Sequence, residues 1–407
     1  MMEKTTPRDG SQRNVAIDLL RGLVMVLMAL DHVRDYYGDM RQSPQNMATT
    51  TPIFFATRWV THFCAPVFVF LAGVSAAIYG SRRKKGELSR FLLSRGVWLI
   101  LLEFTLIYFA WMLTFRYGWV FVQVIAAIGF GMVCLAGLIH LPRWAQLAIG
   151  LGILLGHNLV EGAQVTESGL VGAFAYGGPF TFANIGGVPR FIVIYALVPW
   201  AAVMLIGYCA GGIFAKPKQD QRRILLRLGC AATIGFLLLR WSDVYGDPIS
   251  FASHLAGLEE AGASSFAMSV VAFLNTTKYP PSLLYLLMTL GPALIFLGLC
   301  TESPGRLGRA CVNFGRVPLF YYVAHLFLIH LGSTAYYLVL HGEAISPMQG
   351  IFDTFMLQPP KPLPEWYGNG LEVVYVAWIA TVLALYPLCA WYGRLKRRGR
   401  SRLWSYL

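Results

Sequence analysis

Ten stretches of this chain stay apolar for roughly the 20 residues that an α-helix needs to cross a bilayer. They fall near 14–35, 60–80, 91–114, 118–139, 144–160, 190–214, 223–241, 281–301, 314–340 and 371–393. Lipid offers no water to backbone groups, so such segments must close their own hydrogen bonds, and a helix does this within one segment. The expectation is therefore all-α: a polytopic membrane bundle of 10, at most 11, transmembrane helices. Composition agrees, with 56% of the 407 residues hydrophobic, only 13% charged, and a mean hydropathy of +0.56. The first run lacks a small-residue cleavage site and reads as a retained span rather than a signal peptide. The connections 161–189 and 242–280 are long, but no Pro-rich linker, low-complexity stretch or repeat divides the chain. One domain, 1–407, is expected, with a short tail 1–13 and a basic tail 394–407.

The net charge of +13 is distributed unevenly. One set of alternate connections holds 24 Lys and Arg residues, from Lys4, Arg8 and Arg13 through Arg82, Arg83, Lys84 and Lys85 to Arg400 and Arg402. The other set holds eight: Arg34, Arg41, Arg58, Arg116, Arg190, Arg240, Lys278 and Lys361. Cytoplasmic loops carry the excess of basic residues, so both termini are expected in the cytoplasm. The basic charge is then a topology and lipid-headgroup signal, not a nucleic-acid footprint. Ser81–Lys85 reads as an anchoring loop, or as one that draws an anionic cytosolic substrate such as a CoA thioester. The seven cysteines are odd in number and show no Cys/His metal spacing, so small buried hydrophobes are expected and no metal.

Several runs contain residues that are costly in lipid and so point to a protected interior. The first carries Asp18, Arg21, Asp31 and His32. Asp18 and Arg21 lie one turn apart, and Arg21 and His32 are eleven residues apart, so Asp18, Arg21, Met25, Met28 and His32 share a face along about 20 Å. His32 and His62 both fall near the outer end of their spans, where Asp31 could orient an imidazole acting as a base. Arg58 stands beside this level. Ala65, Ala72, Ala76 and Gly80 form a small-residue stripe suited to packing on the first span. Glu103, halfway along the third span, needs a cation or a proton, and Arg21 is a candidate partner. His325 is expected at mid-membrane, one turn from Tyr321 and Tyr322, either packed in the core or lining a path. Lys278 and Tyr279, before Pro280 and Pro281, present a cation at the outer mouth, suited to an acidic sugar or a lipid phosphate. Pro199 suggests a kink in the sixth span, which reads as packing.

Four segments carry a resemblance: Asp18-Leu-Leu-Arg21-Gly22, His62 to Ala76, Asn275 to Tyr285 and Gly315 to His325. Together with the tail Arg394 to Leu407 they resemble the bacterial relatives of heparan-α-glucosaminide N-acetyltransferase, and more distantly the acyltransferase-3 family. The lysosomal enzyme has Asn where His32 stands, and its catalytic His falls in the following loop. The loop Val33 to Thr61 here contains no His. His32 instead matches the acyltransferase-3 arrangement.

The resemblance implies a transmembrane acyltransferase in a bacterial inner membrane. It would take an acetyl or acyl group from cytosolic acetyl-CoA and deliver it to a sugar amine or hydroxyl on the other side. The expected roles are His32 as general base, Asp31 orienting it and His62 assisting. Asp18, Arg21, Arg58, Glu103, Lys278, Tyr279, Tyr322 and His325 are expected along the substrate and CoA path. Partners are acyl-CoA, a glycan or lipid-linked sugar, and membrane lipids; a homodimer is the commonest assembly. The alternative is a transporter or flippase for a sugar or lipid-linked substrate, with the same charges lining a permeation path.

Overall fold

The computed structural model describes residues 14–115, 119–160, 169–177, 181–185, 188–300, 304–346 and 364–398. Lys4, Arg8, Arg13, Arg116, Lys361, Arg400, Arg402 and the tail from 399 onward lie outside them. In chain order the helices are α1 (Val15–Tyr37), α2 (Pro52–Thr61), α3 (Cys64–Gly80), α4 (Lys85–Leu102), a π turn (Glu103–Ile107), α5 (Tyr108–Met112), α6 (Val124–Leu138), α7 (Arg143–Val160) and α8 (Gly169–Tyr176). They continue with α9 (Leu197–Ala210), a 3₁₀ turn (Gly211–Ala215), α10 (Lys218–Ser242), α11 (Phe251–Glu260), α12 (Phe266–Leu274), α13 (Leu283–Leu299), α14 (Arg306–Gly315), α15 (Pro318–His341) and α16 (Leu371–Arg398).

The protein is predominantly helical, and each of the ten apolar stretches contains helix. Among the described residues six helical segments are both long and apolar enough to cross a membrane: 52–80, 85–112, 197–215, 218–242, 318–341 and 371–398. Two shorter apolar helices, α6 and α13, accompany them. Their outward faces are apolar, as at Leu238, Trp241, Val376 and Leu383. Such a belt fits lipid, not water.

Two expectations are corrected. The starts of the fourth and sixth stretches are not helical: β1 (Trp119–Val122) pairs in parallel with β3 (Val188–Val193), which pairs antiparallel with β2 (Thr181–Ile185). Short apolar runs rich in β-branched and aromatic residues read alike as strand or helix. Pro199 lies in the first turn of α9, where proline opens a helix rather than kinking it. The prolines 280 and 281 precede α13 but do not start it; Ser282 caps it by accepting from the Tyr285 amide at 3.0 Å.

Helix packing depends on backbone-to-backbone crossings. A Cβ on Gly22 of α1 would lie 1.7 Å from the Cys311 carbonyl of α14, and one on Gly315 would lie 1.9 Å from the Asp18 carbonyl. No side chain fits there. Gly73 of α3 and Gly207 of α9 cross in the same way, with the Met204 and Phe70 carbonyls at 2.0 and 2.1 Å. α3 thus crosses α9 through Gly73, outside the expected stripe; of the stripe itself, Gly80 faces Leu88 of α4, and Ala65 and Ala76 are buried in the core that also holds α1. The Cys64 thiol reaches the Val24 carbonyl of α1 at 3.2 Å, and the Trp378 indole of α16 reaches the Val26 carbonyl at 2.8 Å. α1 is therefore gripped by α3, α14, α15 and α16, at the centre of one contiguous apolar core.

Candidate active site

The last turns of α1 face the second and third turns of α15. His32 Nδ1 and His325 Nε2 are 2.7 Å apart, with the ring planes within 16° of parallel. His325 Nδ1 lies 3.0 Å from the Tyr321 carbonyl of its own helix. A carbonyl only accepts, so His325 Nδ1 carries hydrogen and its Nε2 presents a lone pair. His32 Nδ1–H must then donate to His325, which leaves His32 Nε2 as a lone pair with no hydrogen-bond partner among the described residues. His325 is fully buried, whereas His32 is only part-buried. The Trp111 ring packs edge-on against His32 at 4.9 Å, and Tyr322 does so at 6.2 Å.

His325 is therefore level with His32. The sequence reading set the two histidines at different depths by taking one unbroken span from 314, but α14 ends at Gly315 and Pro318 starts α15 afresh. Gly315 lies against Gly22, and both histidines stand ten residues further along, roughly 15 Å above that crossing.

Asp31 does not orient His32. Its carboxylate accepts from Arg58 at 2.9 and 3.0 Å, from the Thr61 hydroxyl at 3.0 Å and from Arg34 one turn along α1. Arg34 also reaches the Thr57 hydroxyl at 3.3 Å and Asp35 at 3.6 Å. A buried carboxylate is stabilised only by such convergence of donors. His62 does not join His32 either. It sits at the break between α2 and α3, fully buried, with neither ring nitrogen bonded among the described residues. Its ring packs edge-on against Tyr285 at 5.3 Å, and the Tyr285 hydroxyl donates to the His62 carbonyl at 2.8 Å.

Lys278 is buried on the loop between α12 and α13, its ammonium 4.9 Å from the Tyr279 ring centroid and 6.0 Å from that of Tyr195. The Arg58 guanidinium lies 6.0 Å from the same Tyr279 ring centroid. Burial works to raise the Tyr279 phenol, but the Lys278 and Arg58 charges outweigh it and hold the group below its ordinary value. Asp247 shapes the loop by accepting from the Thr277 amide and hydroxyl at 2.9 and 2.8 Å and from the Ser282 hydroxyl at 2.7 Å. Arg240, fully buried, donates to the carbonyls of Ile249, Ala272, Phe273 and Asn275 at 2.8 to 3.0 Å.

Asp18 and Arg21 are one level lower. Arg21 donates to Asp18 at 3.3 Å, to the Gly315 carbonyl at 3.1 Å and to the Ser75 hydroxyl at 3.0 Å, joining α1 to α3 and α14. Glu103 does not meet Arg21. It begins the π turn and accepts from the Ala126 amide at 2.9 Å, where the first amides of α6 lack partners of their own.

Sequence reasoning missed Arg34, Thr61, Trp111, Asp247 and Arg240. The Asp31/Arg34 spacing of one turn was the available signal for Arg34. The others are brought in by tertiary contacts.

These features define the class: an integral membrane protein whose ionisable side chains are gathered inside a helical bundle. The family model described as heparan-alpha-glucosaminide N-acetyltransferase, catalytic, matches residues 13–239, more than half of the chain. The chain belongs to that family of transmembrane acetyltransferases. The match includes Asp31, His32, Arg58 and His62 and ends within α10, before Lys278 and His325. No curated protein matches the chain.

Proposed function

We propose that this protein transfers an acetyl or other acyl group from cytosolic acyl-CoA to a sugar amine or hydroxyl across a bacterial inner membrane. The chain would cross ten times, with both termini cytoplasmic. The observation that carries this reading is the directed chain from the Tyr321 carbonyl through His325 to His32, which ends on a base with an open lone pair.

In the reaction, His32 Nε2 takes a proton from the acceptor as its nitrogen or oxygen attacks the thioester carbonyl. The carbon–sulfur bond then breaks, and the CoA sulfur leaves with the proton returned by His32. His325 holds the tautomer throughout and shares the charge of the His32 cation. Family membership supports acyl transfer, and the basic loops at Ser81–Lys85 supply the cations for CoA phosphates.

The test is acetyl-CoA turnover by the purified full chain with a panel of sugar acceptors. His32→Ala is expected to lower kcat by about a hundredfold or more, the usual worth of a positioned base. An unchanged rate in that variant would remove His32 from the mechanism. A chain that neither turns over nor is thermally stabilised by CoA would favour a transporter for a sugar or lipid-linked substrate.

A further inference from the structure

Two buried groups near the histidine pair are incompletely partnered: among the described residues Lys278 has no ion pair and the His62 ring no hydrogen bond. Lys278 is 4% exposed, and no carboxylate pairs with it among the described residues. The local acids are committed elsewhere: Asp31 to Arg58 and Arg34, and Asp35 to Arg34. Three cations therefore share two carboxylates, and Lys278 is the excess charge. Its ammonium is faced by the rings of Tyr195 and Tyr279 and by the Tyr279 hydroxyl, none of which supplies a carboxylate's charge. His62, 0% exposed, has two unbonded ring nitrogens. The strongest charges acting on its ring come from Arg58 and Lys278. An uncompensated cation and an unsatisfied imidazole are each costly in a protein interior, and one anion relieves both.

We infer that Lys278, Arg58 and His62 form a subsite for an oxyanion, a carboxylate or phosphate carried by the acceptor. Arg58 ties the subsite to the reacting end of α1 through its bonds to Asp31, the chain neighbour of His32. Lys278 donates from the loop shaped by Asp247, and His62 donates from the break between α2 and α3. An acidic sugar or a phosphate-linked sugar would thus be held with its amine or hydroxyl toward His32. The assignment of the anion to the acceptor rests on the acyltransferase reading; the existence of the subsite does not.

The experiment follows thermal unfolding of the full chain in detergent during titration with D-glucuronate, with inorganic phosphate and with neutral D-glucose. A saturable rise in Tm with glucuronate, and none with glucose, is expected. Lys278→Gln should weaken the half-saturating concentration by roughly tenfold to a hundredfold, the worth of one charge-assisted bond, and Lys278→Arg should largely retain it. If Lys278→Gln does not fold, His62→Gln is read in its place, with the same direction expected. No rise with either anion, or an undiminished rise in Lys278→Gln, overturns the subsite. A rise with phosphate alone overturns the sugar-acid form of the acceptor and leaves a phosphate-bearing one. Because binding is read without acetyl-CoA, an inactive protein that still shows the glucuronate response would sink the transfer reaction and keep the subsite.

Discussion

His325 separates a positioning role from a packing one. Its ring packs against Tyr321 and Tyr322, but its one side-chain hydrogen bond among the described residues is to His32, and it fixes which nitrogen of His32 is open. His325→Ala should therefore lower kcat by about a hundredfold while KM for acyl-CoA moves little, since the binding surface is untouched. A purely structural role would lower the amount of folded protein and leave kcat per folded molecule intact. Asp31→Asn should act differently. It leaves Arg58 and Arg34 without their shared counter-charge, and loss of one partner from a buried ion pair costs about 3–5 kcal/mol. A large fall in Tm is expected, and an unchanged Tm would show the pair to be dispensable. At this scale the sequence was legible where chemistry conflicts with its surroundings. Asp18, Arg21, Asp31 and His32 stand out because each is costly in an apolar run. What the run cannot show is partnership: Asp31 was assigned to its chain neighbour but serves Arg58, 27 residues away in a different helix.

Among elements, the crossing of α1 and α14 is the tightest contact, and its cost of disturbance is predictable. Gly315→Ala places a methyl 1.9 Å from the Asp18 carbonyl and should destabilise by at least the 1–3 kcal/mol typical of overpacking. Gly86→Ala in the first turn of α4 meets nothing within 4 Å and serves as the control, expected neutral or slightly stabilising in thermal unfolding. Helix positions were largely legible, because length and hydropathy dominate in a bilayer-spanning chain. Helix breaks were not. The pause at His62–Phe63, the restart at Pro318 and the strands at 119 and 188 each lie inside continuous apolar sequence. The restart at Pro318 matters most, because it raises His325 to the level of His32.

For the whole molecule, the proposed orientation is open to direct measurement. In a cysteine-free background, Lys84→Cys should react with a membrane-impermeant maleimide only from the cytoplasmic side. Arg41→Cys, on the exposed loop after α1, should react only from the other side. Labelling of both from one side would overturn the arrangement. The basic asymmetry that predicts this was fully legible, since it depends on counts and not on contacts. The roles of Asp247 and Arg240 were not, because the long connection 242–280 shows no pattern until it is folded against α10.

The contact between Gly22 and Gly315 acts as a gauge for the chemistry above it. α1 climbs ten residues from that point, and the other chain segment reaches His325 in ten through the break before Pro318, so the imidazoles meet only while both spacings are kept. One alanine inserted between Met25 and Met28 would swing His32 about 100° around the helix axis and away from α15. Four inserted residues would bring it back to nearly the same heading but about 6 Å too high. Functional sequences of this design should therefore tolerate altered side chains between these landmarks far better than altered spacing.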